Sequence, residues 1–166
     1  MIILGIDPSL SHTGLAILDY NVDIQQGKVL AAQVCITTPK EKIEDRLDFI
    51  YNALQKLANE YPINMIAFEE LPCMKNNSTI KKMAYVLGII LLFSKQSQIK
   101  IHGYYPLTIR STITGNIKSS KEEVAKEVLS ILKTTKEGLY FSNKKQYYHD
   151  VTDAIAVAFT HLKLRS

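Results

Sequence analysis

The sequence predicts an α/β fold: a mixed five-stranded sheet, three antiparallel strands followed by parallel ones, with helices on both faces. Three observations predict it. Three short apolar runs crowd into residues 2–37 with tight connections between them, the pattern of an antiparallel meander. After Pro39, stretches with apolar residues every three or four positions alternate with short apolar runs, the order in which crossover helices join parallel strands. The 166 residues contain no internal repeat, low-complexity tract or linker, so a single domain over 1–166 is expected. A chain of this length buries about 70% of its unfolded surface, enough for a core.

Each element follows from local pattern. Residues 2–7 (Ile-Ile-Leu-Gly-Ile-Asp) are apolar and end on a carboxylate, as a buried strand does. Pro8-Ser9-Leu10-Ser11 breaks the run, and Thr13 to Leu18 reads as the second strand. Asn21 to Gly27 is turn-like, and Lys28 to Thr37 reads as the third. Ile43, Leu47, Ile50, Leu54 and Leu57 give an amphipathic helix that ends near Asn59-Glu60-Tyr61-Pro62. Ile63 to Glu69 is the fourth strand, again ended by a carboxylate. Ser78 to Gln96 is a long helix, apolar almost all round in its second half, and Ile99 to Tyr104 is a fifth strand closed by Pro106. Ser119 or Ser120 N-caps the next helix, with Glu122 and Glu123 in its first turn and an apolar stripe of Val124, Val128, Leu129 and Leu132. Thr134 to Tyr148 is polar and reads as a loop, with Asp150 to Leu164 as the closing helix.

Composition removes several classes. With 46% hydrophobic and 22% charged residues the chain is neither collagen-like nor disordered, and two cysteines make no disulfide framework. Cys35 and Cys73 also lack a metal-binding spacing, so a reduced, cytoplasmic chain is expected. The longest apolar run, Met83 to Phe93, falls well short of the roughly 20 residues that span a bilayer, and no membrane association is expected. Met1 leads straight into the first apolar run without a basic segment or a small-residue cleavage site, so no signal peptide is expected.

Charge is unevenly placed. Residues 1–70 carry five Lys/Arg against ten Asp/Glu, whereas residues 71–149 carry thirteen against four. A basic middle flanked by isolated carboxylates suits an enzyme that grips a polyanion while the carboxylates hold a divalent cation. Charge alone is equally well explained by a solvated lysine-rich surface.

Four carboxylates stand where such a cation site needs them. Asp7 ends the first strand and Glu69 the fourth, and the strand ends of a mixed sheet are where functional side chains gather. Asp150 and Asp153 are three apart and share one face of the last helix, whose remaining surface (Val151, Ala154, Ile155, Ala156, Val157, Ala158, Phe159) is apolar. Two buried aspartates are costly unless a cation compensates them, and Mg²⁺ prefers hard oxygen ligands of this kind. Each residue also has a plain structural reading: Asp7 as a turn residue, Asp150 as an N-cap, Asp153 as a partner of the helix dipole. Glu70 competes with Glu69, because Met65, Ala67 and Glu69 share one strand face, Ile66, Phe68 and Glu70 the other, and both faces are otherwise apolar. His149 reads as a ligand, a base or a surface residue, and His12, His102 and His161 are scattered without a zinc spacing. No Ser-His-Asp or Cys-His arrangement and no Gly-rich phosphate loop is present.

Gly5-Ile6-Asp7-Pro8-Ser9 followed by Thr13-Gly14 resembles the opening of the RuvC-type Holliday junction resolvases. Ala67-Phe68-Glu69-Glu70 leading into Lys75-Asn76 resembles their second acidic motif, and Asp150-Val151-Thr152-Asp153-Ala154-Ile155-Ala156 with Thr160-His161 their closing helix. The resemblance implies an RNase H-like fold, a homodimer, and Mg²⁺-dependent cutting of four-way DNA junctions by paired nicks, with Mn²⁺ as a substitute ion. It makes Asp7, Glu69, Asp150 and Asp153 the catalytic carboxylates and so selects Glu69 over Glu70. It places Lys121 near the scissile phosphate and Arg110 as a second basic residue there. The products expected are a 5′-phosphate beside a 3′-hydroxyl, formed at a site with two ions. Lys75, Lys81, Lys82, Lys118, Lys144 and Lys145 are expected to hold the DNA arms without reading sequence. The Ser78–Gln96 helix is the expected dimer element, through Met83, Leu87, Ile90, Leu91 and Phe93, since a two-fold dimer presents two sites to a two-fold junction.

Three departures from that family stand out. Leu71-Pro72-Cys73 occupies the place where cellular relatives carry an aromatic after the glutamate, which bears on selectivity for four-way junctions. The 134–148 segment is longer than in bacterial members, and its tyrosines and lysines offer stacking and backbone contacts instead. The divergence points to a phage-type variant, for which branch-migration partners stay open. Rival readings are an RNase H-like nuclease acting on RNA precursors and a non-catalytic branched-DNA-binding module. A sugar kinase or chaperone-type ATPase shares the Gly-Ile-Asp strand but needs a far longer, duplicated chain.

Overall fold

The computed structural model describes residues 1–21, 26–71, 78–135, 139 and 147–165. Strands β1 (Ile2–Asp7), β2 (His12–Asn21), β3 (Gln26–Ile36), β4 (Met65–Glu69) and β5 (Lys100–Tyr104) form one sheet in the order β3-β2-β1-β4-β5. The first three are antiparallel, with Asp7 opposite Gly14, and β1, β4 and β5 run parallel, with Glu69 beside Tyr104. The sheet is therefore the expected mixed one, and the carboxyl ends of β1 and β4 lie at the same edge.

Helices α1 (Ile43–Glu60) and α2 (Ser78–Ser97) cover one face; α3 (Pro106–Thr114), α4 (Lys121–Leu132) and α5 (Tyr148–Arg165) cover the other. Strand alternation builds two cores. Leu4, Ile6, Leu15, Ile17, Ile66 and Phe68 meet Ile50 and Leu54 of α1 and Val86, Ile90 and Phe93 of α2. Ile3, Ala16 and Ala67 meet Ile109 and Ile113 of α3, Val124 and Val128 of α4 and the apolar side of α5. Among the described residues no helix is long and apolar enough to cross a membrane.

Three expectations need correction. Pro106 does not simply close β5: it opens α3 at the first helical position, where its missing N–H costs nothing, and Gly115 ends that helix at φ 77°. Asp150 is not an N-cap, because α5 begins at Tyr148 and the carboxylate lies inside the first turn. Leu87, Ile90 and Phe93 are buried against the sheet, so they cannot form the outer face of α2; the large apolar side chains it turns outward are Tyr85, Leu91 and Leu92. The capping choice settles on Ser120, whose Oγ accepts from the Glu123 N–H while Glu123 Oε2 accepts from the Ser120 N–H at 2.7 Å. That box fixes the start of α4, and with it Lys121.

Candidate active site

The site is built by one close approach. Asp7 follows Ile3 and Gly5 on the face of β1 that meets α5, and Glu69 follows Ala67 on the same face of β4. That face carries glycine and alanine, and α5 answers with Ala154 and Ala158, so helix backbone lies almost on sheet backbone. A methyl group at Gly5 would overlap the Ala154 carbonyl oxygen, and one at Gly14 the Asp150 carbonyl oxygen, both far inside the 3.0 Å that Cβ atoms keep. The same position above Gly14 lies 3.4 Å from Asp7 Cβ, so β1, β2 and α5 meet at this point. Glu70 leaves on the opposite face, where its side chain covers Gly103 beside Phe68. The structure thus groups Glu69, not Glu70, with Asp7.

Electrostatics mark the cluster. Burial, then the charges of Asp153, Glu69 and Asp150, hold the Asp7 carboxyl well above its ordinary range, with Lys121 acting against them. Burial and Asp153 push Glu69 up to about 7, relieved in part by Lys121 and Arg110. Burial also raises Asp150, against the pull of His12 and Lys121. Lys121 Nζ donates to Asp153 Oδ2 at 2.6 Å; the lysine side chain is 61% exposed and the aspartate 13%. Burial works against the ammonium, but Asp153, Asp7 and Glu69 together keep it above its usual range. Lys121 therefore stands at the mouth of an acidic cluster, one end tied down and the other facing solvent.

All four predicted carboxylates, Lys121 and Arg110 fall within this one field. Lys81, Lys82 and Lys118 are exposed, on α2 and on the connection before α4. Lys75, Lys144 and Lys145, with Pro72 and Cys73, lie outside the described residues. His149 is half-buried: Nε2 is 3.5 Å from Glu122 Oε2, and Nδ1 has no hydrogen-bond partner among the described residues. Sequence reasoning missed three contributors. His12 sets its charge against Asp150. Buried Arg46 donates to Thr37 Oγ1 at 2.8 Å and Ser11 Oγ at 3.2 Å, pinning the turn that follows Asp7. Gly5 and Gly14 admit α5, and a glycine inside each of two apolar strand runs was the available signal.

The donor set fits a hard divalent cation. All four groups offer oxygen, and burial together with the Asp153 charge keeps Asp7 and Glu69 raised despite Lys121, a cost that a cation would offset. Among the described residues no three His, Cys, Asp or Glu side chains are drawn together tightly enough to cage an ion as they stand, and Asp153 is engaged with Lys121 instead.

The raised carboxyls dictate a pH dependence. Glu69 holds its proton to about pH 7 in the folded chain but loses it near 4.5 when unfolded, so the folded state carries the extra proton between those values. Stability of the metal-free protein is expected to fall as pH rises from 4.5 to 7, by at most about 3 kcal/mol from this group. Urea melts at pH 5 and pH 7 measure it; Glu69→Gln should flatten the slope, and an unchanged slope would show that this carboxyl does not hold the proton.

A sheet with carboxylates at neighbouring strand ends, closed by a helix carrying two more, defines an RNase H-like nuclease fold. The chain matches the family model described as Crossover junction endodeoxyribonuclease RuvC over residues 3–161. It is 32% identical over 162 residues to the protein of that name from Fusobacterium nucleatum, covering 98% of this chain and 80% of that one. The Ehrlichia canis protein of the same name is 34% identical over 161 residues, covering 97% and 96%. The solved structure of Thermus thermophilus RuvC, 24% identical, superposes with a TM-score of 0.83 over 98% of this chain and 94% of that one. The same protein in complex with Holliday junction substrate gives 0.81 at 23% identity, over the same shares of the two chains. This chain belongs to the RuvC family.

Proposed function

We propose that this chain is a metal-dependent endodeoxyribonuclease that resolves four-way DNA junctions by paired nicks, with Asp7, Glu69, Asp150 and Asp153 holding Mg²⁺, Mn²⁺ serving as a substitute. The reading rests on the convergence of these carboxylates from β1, β4 and α5 at one end of the sheet, with Lys121 at the mouth. Acidic groups so close together repel a phosphodiester on their own, so their use beside DNA requires a compensating charge. A divalent cation bound there supplies that charge, lowers the pKa of a water and neutralises the leaving oxygen.

The protein's own groups do the rest. Asp7, half-buried and fixed by the β1 ladder, sets the floor of the site. Asp150 and Asp153 hold the ligand side carried by α5, and Glu69 the side carried by β4. Lys121, anchored on Asp153, donates to a non-bridging phosphate oxygen where negative charge grows during attack. Arg110 serves the phosphate next along on the Glu69 side. Lys81, Lys82 and Lys118 grip arm phosphates irrespective of sequence, a role that Lys75, Lys144 and Lys145 share. One domain over 1–166 carries the whole site, and the products are a 5′-phosphate and a 3′-hydroxyl that a ligase seals directly. A cytoplasmic chain meets this substrate where DNA is free.

Cleavage of a synthetic four-way junction in Mg²⁺ and in chelator tests the reading. Paired, ligatable nicks dependent on the ion support it; nicking in chelator, or cutting of linear duplex at the same rate, overturns it. The proposed two-fold dimer uses the outer face of α2; the exposure of Leu91 and Leu92 there, 51% each, supports this reading. Leu91→Glu with Leu92→Glu is expected to yield a monomer by sedimentation, and to convert paired cutting into single nicks. A dimer that survives both substitutions places the interface elsewhere.

A further inference from the structure

The far end of α5 holds a second cluster that the carboxylate site does not use. On edge strand β5, Lys100, His102 and Tyr104 occupy alternate positions and project toward α5. The last turns of α5 meet them with His161 and Arg165, four residues apart and so on one side of the helix. Between them lies a cavity of about 550 Å³ with an apolar floor that includes Met65 and Leu162. His161 stands eight residues beyond Asp153, about 12 Å further along the helix, so this cavity is separate from the cluster at Asp7.

Its polar groups are partly tied and predominantly cationic. Tyr104 Oη and His161 Nδ1 are 2.9 Å apart, a bond that fastens β5 to α5 and gives the buried His161 a structural role. Arg165 Nη2 donates to His102 Nε2 at 3.2 Å, which makes that nitrogen an acceptor, and the guanidinium also hydrogen-bonds Tyr104; its five N–H groups exceed these two contacts. Lys100 lines the same space. Among the described residues no carboxylate lines the cavity, and neither Arg165 nor Lys100 has an ion-pair partner. The Met1 ammonium, also at its rim, is taken by Asp19 at 3.6 Å. Burial first, and then its neighbours His102 and Arg165, hold His161 below its ordinary range. The carbonyls ending α5 favour basic residues nearby, and Lys163, reaching the Thr112 carbonyl at 3.3 Å, answers to that; Lys100 and His102 come from the sheet and do not.

We propose that this cavity is a phosphate-binding site, in which the Arg165 fork grips a phosphoryl group and Lys100 and His102 close around it. Fork geometry suits paired phosphate oxygens, which a lone ammonium does not match. The phosphoryl group comes either from the backbone of a junction arm or from a small phosphorylated molecule. On the first source the inference rests on the DNA reading above: strand phosphates recur about every 3.4 Å, so an arm leaving the carboxylates comes level with His161 within about four base pairs.

Imidazole resonances of ¹⁵N-histidine-labelled protein test it, with His102 assigned through His102→Gln. The protein is titrated separately with inorganic phosphate, with a 5′-mononucleotide, and with a four-way junction in chelator, where no strand is cut. Movement of the His102 signal with phosphate and mononucleotide but not with the junction assigns the site to a small molecule. Movement with the junction, together with weaker junction binding by Arg165→Gln, assigns it to an arm. In either case Arg165→Gln should weaken the response about tenfold, while Lys163→Gln, outside the cavity, leaves it unchanged. No movement with any of the three, or a response that survives Arg165→Gln, overturns the proposal. Because the readout is binding, a chain that fails to cut junctions and a cavity that fails to take phosphate give different results.

Discussion

Asp7→Asn is expected to lower the rate of junction cutting by on the order of 10³-fold or more while junction binding, measured in chelator, stays within a few-fold of the parent. Asparagine keeps the shape of the side chain, so the β1 ladder and the contact beneath Gly14 survive. What is lost is one anionic oxygen from the most strongly compressed carboxylate of the cluster, held high by burial and by three acidic neighbours. The metal-free variant should also melt higher than the parent at neutral pH, because the substitution removes a charge that the folded state disfavours. Asp153→Asn should be similarly inactive for a second reason as well: it frees Lys121, whose ammonium is held at 2.6 Å by that carboxylate. A variant of either kind that cuts at the parent rate shows that the carboxylate lies outside the chemistry. One that neither cuts nor binds shows a damaged fold.

Gly14→Ala is expected to cost about 10²-fold in cutting and about 1–3 kcal/mol in stability, although no side-chain ligand is touched. The added methyl would overlap the Asp150 carbonyl oxygen, and restoring an ordinary contact moves the first turn of α5 outward by about an ångström. Asp150 and Asp153 ride on that turn, so the ligand set opens while Asp7 and Glu69 stay on the sheet. Gly5→Ala acts one turn further along, against Ala154. Cleavage kinetics over a range of Mg²⁺ concentrations separate the two effects: a displaced helix raises the concentration needed and lowers the plateau, whereas loss of stability alone lowers only the active fraction. Normal cutting by Gly14→Ala would show that close approach of α5 does not place Asp150.

The strands, the longer helices and the candidate acidic positions, with Glu69 and Glu70 undivided, were legible in the sequence, because those features are written in local pattern. Strand-ending carboxylates at Asp7 and Glu69, the helical spacing of α1 and the Ser120 box before Lys121 each need only a few neighbouring residues to be read. Helix α3, at nine residues, is too short for an apolar period to mark it, although Pro106 stands at its start and Gly115 beyond its end. Alternation along β4 left Glu69 and Glu70 equivalent, since both strand faces are apolar. Only packing separates them: α5 docks on the face made shallow by Gly5, Gly14 and Ala67, and the side chain that shares that face joins Asp7. The same kind of non-local choice turned Leu91 and Leu92 of α2 outward, placed His12 beside Asp150, and gathered His102, His161 and Arg165 around one cavity. Periodicity along a chain states which residues share a side of their own element; which element that side meets depends on contacts between distant segments, and those exist only once the chain has folded.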